Sequence, residues 1–237
     1  MAIKEKDFIE LEYTGKLKED NFVFDTTDEA VAKENDIHNP QMPYGPVIIC
    51  VGAGSILPGL EKNLMGKEPG RYKIELKAED AFGKKDAKLL KIINTNVFKK
   101  AKIDPMPGLQ VNIDGTIGLI KTVTGGRTVV DFNHPLSGKD VVYDVNISRM
   151  VTDSREKISA LVSMQFNLKP DAFEVKIDEK NVAGIKFKEG IKLKHFSTGK
   201  MRESLIQLVG VKDAVFVETS PEKFPKPEEK QKETTPK

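Results

Sequence analysis

The sequence predicts an α+β protein built from more than one unit. Three observations carry that prediction. Before Lys84, short strands of alternating apolar and polar residues surround a helix-forming segment that opens on a proline. From Lys84 onward the pattern breaks into brief apolar segments separated by glycine and proline, which is enough for a small β-rich unit. After Thr152 the order is helix, strand, strand, helix, strand, the signature of a separate α+β domain.

Phe8, Ile9, Leu11 and Tyr13 alternate among charges and predict a half-buried strand over residues 7–13. The stretch from Gly15 to Asn21 looks like a turn, leading to a second strand at Phe22–Phe24. Residues 28–35 are helix formers with Asp28 at a cap position and acids in the first turn. Asn39 to Pro46 holds three prolines and must be an irregular loop, because proline disfavours helix at and before itself. Val47–Val51 is a strand. Pro58 suits the first turn of a helix, Leu60, Leu64 and Met65 have helical spacing, and Gly66 ends it. Tyr72–Leu76 is another alternating strand.

In the β-rich unit, Asn94–Lys100, Val111, Ile113, Ile117 and Leu119-Ile120 read as short strand-like segments, with Thr124-Gly125-Gly126-Arg127 as a hairpin turn into Val129-Val130. Val141–Ile147 is the last strand of this half. Beyond Thr152, helices are expected at Arg155–Met164 and Gly199–Leu208, and strands at Phe173–Ile177, Val182–Phe187 and Ala214–Val217. From Pro221 the chain is largely proline, lysine and glutamate and should be a disordered tail.

The 237 residues carry a net charge of only +2 with the signs mixed, which makes no general case for nucleic-acid binding. The single cysteine, Cys50, rules out an intrachain disulfide and fits a reducing cytoplasm; in the run Val47–Val51 it reads as a buried, inert thiol. There is no signal-peptide core and no apolar run near the roughly 18 residues of a membrane helix, so no membrane partner is expected. His38, His134 and His195 lack metal-ligand spacing, and no metal or cofactor is expected. Gly52-Ala53-Gly54-Ser55 lacks the spacing and lysine of a phosphate loop.

Four ordered segments carry a resemblance. They are Leu11-Glu12-Tyr13-Thr14-Gly15 with Phe24-Asp25-Thr26-Thr27, then Ile56-Leu57-Pro58-Gly59-Leu60-Glu61, then Asp80-Ala81-Phe82-Gly83, then Asn133-His134-Pro135-Leu136-Ser137-Gly138 with Val141–Val145. Together they resemble the FKBP-type peptidyl-prolyl cis/trans isomerases. The stretch from Lys84 to Val130 replaces a brief flap turn, as in the insert-in-flap domain of SlyD-like members. The domain after Thr152 looks like that of the long archaeal members.

The resemblance implies a bent antiparallel sheet around a short helix, formed by residues 1–84 and 131–152. An insert at 85–130, a C-terminal α+β domain at 153–220 and a tail at 221–237 complete the expected organisation. Tyr13, Phe24, Asp25, Ile56, Leu57, Phe82 and Tyr143 are the implied catalytic set. Leu60 would form the floor, with Ala81, His134 and Leu136 at the substrate-binding rim and Val97 and Phe98 contacting clients from the insert. Leu57 would offer its backbone N–H to a peptide carbonyl, and Asp25 would be a carboxylate held by Tyr13. Three positions depart from the family pattern: Leu60 stands where tryptophan is frequent, Phe82 where tyrosine is usual, and Val47 where an aromatic edge is common.

Each residue also has a plainer reading. Pro58-Gly59 can simply start a helix, aromatic residues at strand spacing are usually core, and Asp25 beside two threonines suits an Asx turn. Two functions from different classes stay open: a prolyl isomerase whose insert captures unfolded, proline-containing clients, and a holdase chaperone or adaptor with a vestigial pocket. A third, structural reading has the C-terminal domain mediate self-association. Lys186, Lys188, Lys192, Lys194 and Lys200 read as solvated lysines, with a ribosome contact as the sharper alternative.

Overall fold

The computed structural model describes residues 1–191 and 195–218. The chain forms two compact units, residues 1–151 and residues from 152 onward. Lys192, Lys194 and the segment expected to be a disordered tail lie outside the described residues.

The first unit contains two sheets. The larger is built from β1 (Phe8–Leu17), β2 (Val23–Thr26), β3 (Val47–Cys50), β4 (Gly70–Leu76) and β9 (Val141–Val151), in the order β2-β1-β9-β4. The first half of β1 also pairs with β3, from Phe8 opposite Cys50 to Leu11 opposite Val47. β1 runs past the expected turn at Gly15 because Gly15 pairs with both Asp25 and Tyr143. Helix α2 (Pro58–Leu64) buries Leu60 and Leu64 in the core that this sheet forms with Ile9, Leu11, Ile49 and Ile147. Fully burying leucines of this kind stabilises the unit by roughly 1.5–3 kcal/mol each. Helix α1 (Glu29–Glu34) starts as predicted, with the Asp28 carboxylate accepting from the N–H groups of Ala30 and Val31.

The second sheet comprises β5 (Leu90–Asn94), β6 (Gln110–Ile113), β7 (Thr116–Thr124) and β8 (Arg127–Asp131), in the order β5-β8-β7-β6. Thr124 and Arg127 close the expected hairpin. The strand reading of Asn94–Lys100 is corrected: Thr95–Lys100 is helix α3. The Asn94 side chain accepts from the Asn96 N–H and caps it, which outweighs the strand preference of Thr95, Val97 and Phe98. Phe98, Val111, Ile120 and Val130 form the buried core of this smaller unit.

The second compact unit has the predicted element order. Helices α4 (Ser154–Phe166) and α5 (His195–Val209) accompany β10 (Phe173–Ile177), β11 (Val182–Phe187) and β12 (Asp213–Glu218). β10 and β11 are antiparallel, β11 and β12 parallel. Ile158, Val162, Phe187, Met201 and Leu205 lie in its core. Lys186, Lys188 and Lys200 are exposed.

Candidate active site

The sheet and α2 bring nearly all of the predicted pocket residues to one place. Tyr13, Phe24, Ile56, Leu57, Ala81, Phe82 and Leu136 are half-buried and pack on the core that contains Leu60 and Tyr143. Four aromatic rings meet there edge to face. Tyr13 and Tyr143 have centroids 5.9 Å apart, Phe24 and Tyr143 5.8 Å, and Phe24 and Phe82 5.5 Å. This is the preferred geometry for rings with electron-rich faces and electron-poor edges.

A register shift makes the convergence possible. Gly15 pairs with Asp25 but Lys16 pairs with Val23, so Phe24 is the extra residue of a β-bulge. The bulge lets neighbouring residues reach the same cluster. Phe24 touches Tyr143 and Phe82, while Asp25 accepts a hydrogen bond of 3.0 Å from the Tyr13 hydroxyl. Gly15 supplies the room, since a Cβ there would lie 2.8 Å from the Tyr143 ring and 2.9 Å from Phe24.

The electrostatics are those of a desolvated hollow. Burial raises the Asp25 carboxyl, against the opposing hydrogen bonds from Tyr13 and the Thr26 backbone. Burial first, and then the charge of Asp25, pushes the phenols of Tyr13 and Tyr143 above their ordinary range. Tyr13 is therefore held as a hydrogen-bond donor at neutral pH.

Two loops complete the walls. Ser137 Oγ donates to the Phe82 carbonyl at 3.0 Å, and the Gly138 N–H donates to the Gly83 carbonyl at 2.8 Å. The His134 ring stacks on Phe82 at 4.8 Å, nearly parallel, and its Nδ1 accepts from the Leu136 N–H at 3.2 Å. His134 is thus an exposed rim residue above a pocket wall. The Leu57 N–H has no acceptor among the described residues, so the donor expected for a peptide carbonyl is uncommitted.

The sequence reading missed Glu61. Its side chain is 5% exposed and accepts from the backbone N–H groups of Gly52, Gly54, Ser55 and Ile56, at 3.1, 3.4, 2.9 and 3.4 Å. One carboxylate thereby fixes the loop that presents Ile56 and Leu57. Glu61 stands in the first turn of α2, where an acid reads simply as a partner for the helix dipole. No local pattern announced the loop folding back onto it.

The insert residues separate. Val97 is 54% exposed, whereas Phe98 is 2% exposed. The reading of Phe98 as a client contact is corrected: its ring fills the insert's own core with Val111, Ile120 and Val130. Among the other apolar residues of the insert, Leu90, Ile92, Ile117 and Leu119 are exposed.

An open hollow of about 400 Å³ on the same sheet is lined by Glu12, Thr14, Arg71, Lys73, Asp144 and Asn146 among others. Tyr13, Tyr72 and Val145 also line it, so it shares Tyr13 with the aromatic cluster. No group of three or more metal-ligating side chains occurs among the described residues. No helix among them is long and apolar enough to cross a membrane.

Fold and site together define an α+β protein with an apolar, aromatic-walled hollow. Comparison with known proteins gives this class its family. Residues 1–102 match the family model described as FKBP-type peptidyl-prolyl cis-trans isomerase, and residues 91–136 match that described as FKBP26, IF domain. A short-type peptidyl-prolyl cis-trans isomerase from Methanocaldococcus jannaschii is 33% identical over 146 residues, 61% of this chain and 92% of the relative. An FKBP-type 16 kDa peptidyl-prolyl cis-trans isomerase from Escherichia coli is 32% identical, covering 43% of this chain and 72% of the relative. SlyD from Helicobacter pylori is 25% identical, covering 53% and 70%. The chain belongs to the FKBP-type peptidyl-prolyl cis-trans isomerase family and is an isomerase of that type.

Proposed function

We propose that this isomerase speeds protein folding by rotating X-Pro bonds in the aromatic pocket, while residues 85–130 capture unfolded clients. The observation that carries the reading is the edge-to-face cluster of Tyr13, Phe24, Phe82 and Tyr143 over Leu60, with the Leu57 N–H uncommitted at its side.

The chemistry follows from the amide. Resonance holds the rotation barrier at roughly 18–20 kcal/mol, and uncatalysed exchange takes tens to hundreds of seconds at 25 °C. The twisted transition state has lost its delocalisation and is less polar than the planar amide. Apolar walls that exclude water favour it over the ground state. Leu57 anchors a carbonyl of the peptide so that the prolyl ring enters the hollow in one orientation. Asp25 and Tyr13 hold each other and keep the wall rigid. No proton transfer or nucleophile is required.

The insert supplies the second contact. Leu90 and Leu119 both lie opposite Asp131 in the sheet, so they share a face. Ile92 and Ile117 extend that face, which is turned away from Phe98 and its core neighbours. Four exposed aliphatic residues on one sheet face suit binding to unfolded chains. Tethering this face to the pocket raises the local concentration of prolines at the pocket.

Refolding of a protein limited by proline isomerisation tests the proposal. The chain should accelerate it, a Tyr13→Ala/Asp25→Ala variant should not, and a chain with Lys84–Val130 replaced by a short turn should act well on short peptides but poorly on the protein. Suppressed aggregation without acceleration would instead identify a chaperone with an idle pocket.

A further inference from the structure

The insert has a charge of its own. Between Lys85 and Val130 the chain carries seven lysines, one arginine, three aspartates and neither glutamate nor histidine, a net +5 in a protein whose total is +2. All eight cations are exposed. Lys85 lies 3.9 Å from Asp131. None of the other seven has an acidic partner within 4.0 Å among the described residues. What sets the insert apart is its surplus of five cations over acids in so short a stretch.

At least one of these cations borders the exposed aliphatic face. Arg127 pairs with Asn94 while Val129 pairs with Ile92, which places Arg127 diagonal to Ile92 on the same side of the sheet. Lys100 and Val97 lie on α3, on the other side of the sheet, where Phe98 is buried. Lys121 occupies the irregularity between Ile120 and Thr122, two residues beyond Leu119. An occupant must satisfy both features at once: apolar side chains for Leu90, Ile92, Ile117 and Leu119, and carboxylates for the surplus cations of the insert.

Nucleic acid fits this surface poorly. Binding single strands without sequence preference relies on aromatic platforms for the bases as well as on positive charge. The only aromatic residue between Lys85 and Val130 is Phe98, and it is buried. The exposed residues are aliphatic, which suits Leu, Val and Phe side chains of an unfolded polypeptide.

We propose that the insert selects unfolded segments in which apolar residues are interspersed with aspartate and glutamate, and that it discriminates against lysine- and arginine-rich segments. This selectivity rests on the client-capture reading and gives it a substrate class. Carboxylates on the client pair with the insert's surplus cations, whereas a basic client brings like charges together and loses affinity.

The test uses the full chain and two labelled, proline-free peptides of identical Leu, Val and Phe content, one spaced by glutamate and the other by lysine. Without proline, binding reports the insert rather than the pocket. Fluorescence anisotropy should give a Kd roughly tenfold lower for the acidic peptide at low salt, with the gap closing at high salt as charges are screened. A Lys121→Glu/Arg127→Glu variant, checked by thermal melting for retained fold, should remove the preference. Equal affinities at low salt would overturn the proposal and leave client capture standing, the cations then serving only solubility. Displacement of the acidic peptide by polyuridylate RNA at lower concentration than by unlabelled acidic peptide would overturn it in favour of a nucleic-acid surface. Binding of neither peptide would overturn client capture and the proposal together.

Discussion

The two sheets of residues 1–151 are written in the same alternation of apolar and polar residues, yet they dispose of their apolar side chains differently. The larger sheet turns Ile9, Leu11, Tyr143, Val145 and Ile147 inward, and α2 and the two wall loops cover them. The smaller sheet has only α3 and its connecting segments on one face, so Phe98, Val111, Ile120 and Val130 are buried while Leu90, Ile92, Ile117 and Leu119 face water. A unit this small has too much surface for its volume to hide both faces. Alternation therefore specifies a sheet, but the amount of covering chain decides whether an apolar row becomes a core, a pocket or a binding face.

The sharpest way to break the comparison is to remove the tie that only the larger part has. Glu61→Ala removes the shared acceptor of four backbone N–H groups in a partly exposed loop, and urea unfolding should show a loss of about 3 kcal/mol, since charge-assisted bonds contribute about 1.5–3 kcal/mol each, their losses overlap and water can reach part of the loop. Glu61→Gln keeps one acceptor oxygen and should lose about half as much. A loss below about 1 kcal/mol for the alanine variant would mean that the loop is fixed by its own turns.

Paired glycines sharpen the comparison at somewhat smaller cost. A methyl at Gly15 meets Tyr143 and Phe24 at 2.8 and 2.9 Å, and one at Gly118 meets Val130 and Phe132 at 2.6 and 2.9 Å. Each alanine variant should lose about 2 kcal/mol of stability by overpacking. Their activities should part company. Gly15→Ala wedges the pocket walls and should lower kcat/KM on a proline tetrapeptide about tenfold, whereas Gly118→Ala should leave it unchanged. Equal losses of activity would show that the insert's packing reaches the pocket.

A smaller effect separates charge from shape at Asp25. Its carboxyl titrates above the ordinary range in the folded protein, so the protonated form is the one folding favours. The stability that this provides is fully present below the unfolded pKa and is lost as pH rises through the folded value. At neutral pH the charge is therefore a cost. Asp25→Asn, whose amide oxygen can still accept from Tyr13, should melt slightly higher at neutral pH, and the advantage should fade as pH falls through the carboxylate range. An advantage that persists in acid would trace the effect to packing.

Much of this was legible in the sequence, for identifiable reasons. Strand positions 8–13, 72–76 and 141–147 were set by side-chain alternation, and the pocket residues by short motifs whose apolar members all had to meet one helix. What escaped depended on contacts distant in sequence or on one capping atom. Asn94 turned β-prone Thr95, Val97 and Phe98 into a helix and sent Phe98 inward. Glu61 resembles any first-turn acid until the loop at 52–56 folds over it. The bulge that aims both Phe24 and Asp25 at Tyr143 and Tyr13 is a pairing fact, invisible until β1 and β2 are in register.

The smallest stability change carries the most information about function. Ile92 is 67% exposed and Ile117 59%, so Ile92→Ser/Ile117→Ser should alter stability by no more than about 0.5 kcal/mol per site. Turnover of a proline tetrapeptide should be unaffected, because neither residue approaches Tyr143 or Leu60 in the packed core. Acceleration of an unfolded protein's proline-limited refolding should fall several-fold, since the tethered contact that concentrates the client is weakened. If refolding of the protein were as fast with the double variant as with the parent chain, the exposed aliphatic face would be only the residue of an undersized core, and the comparison between the two sheets would reduce to one of size alone.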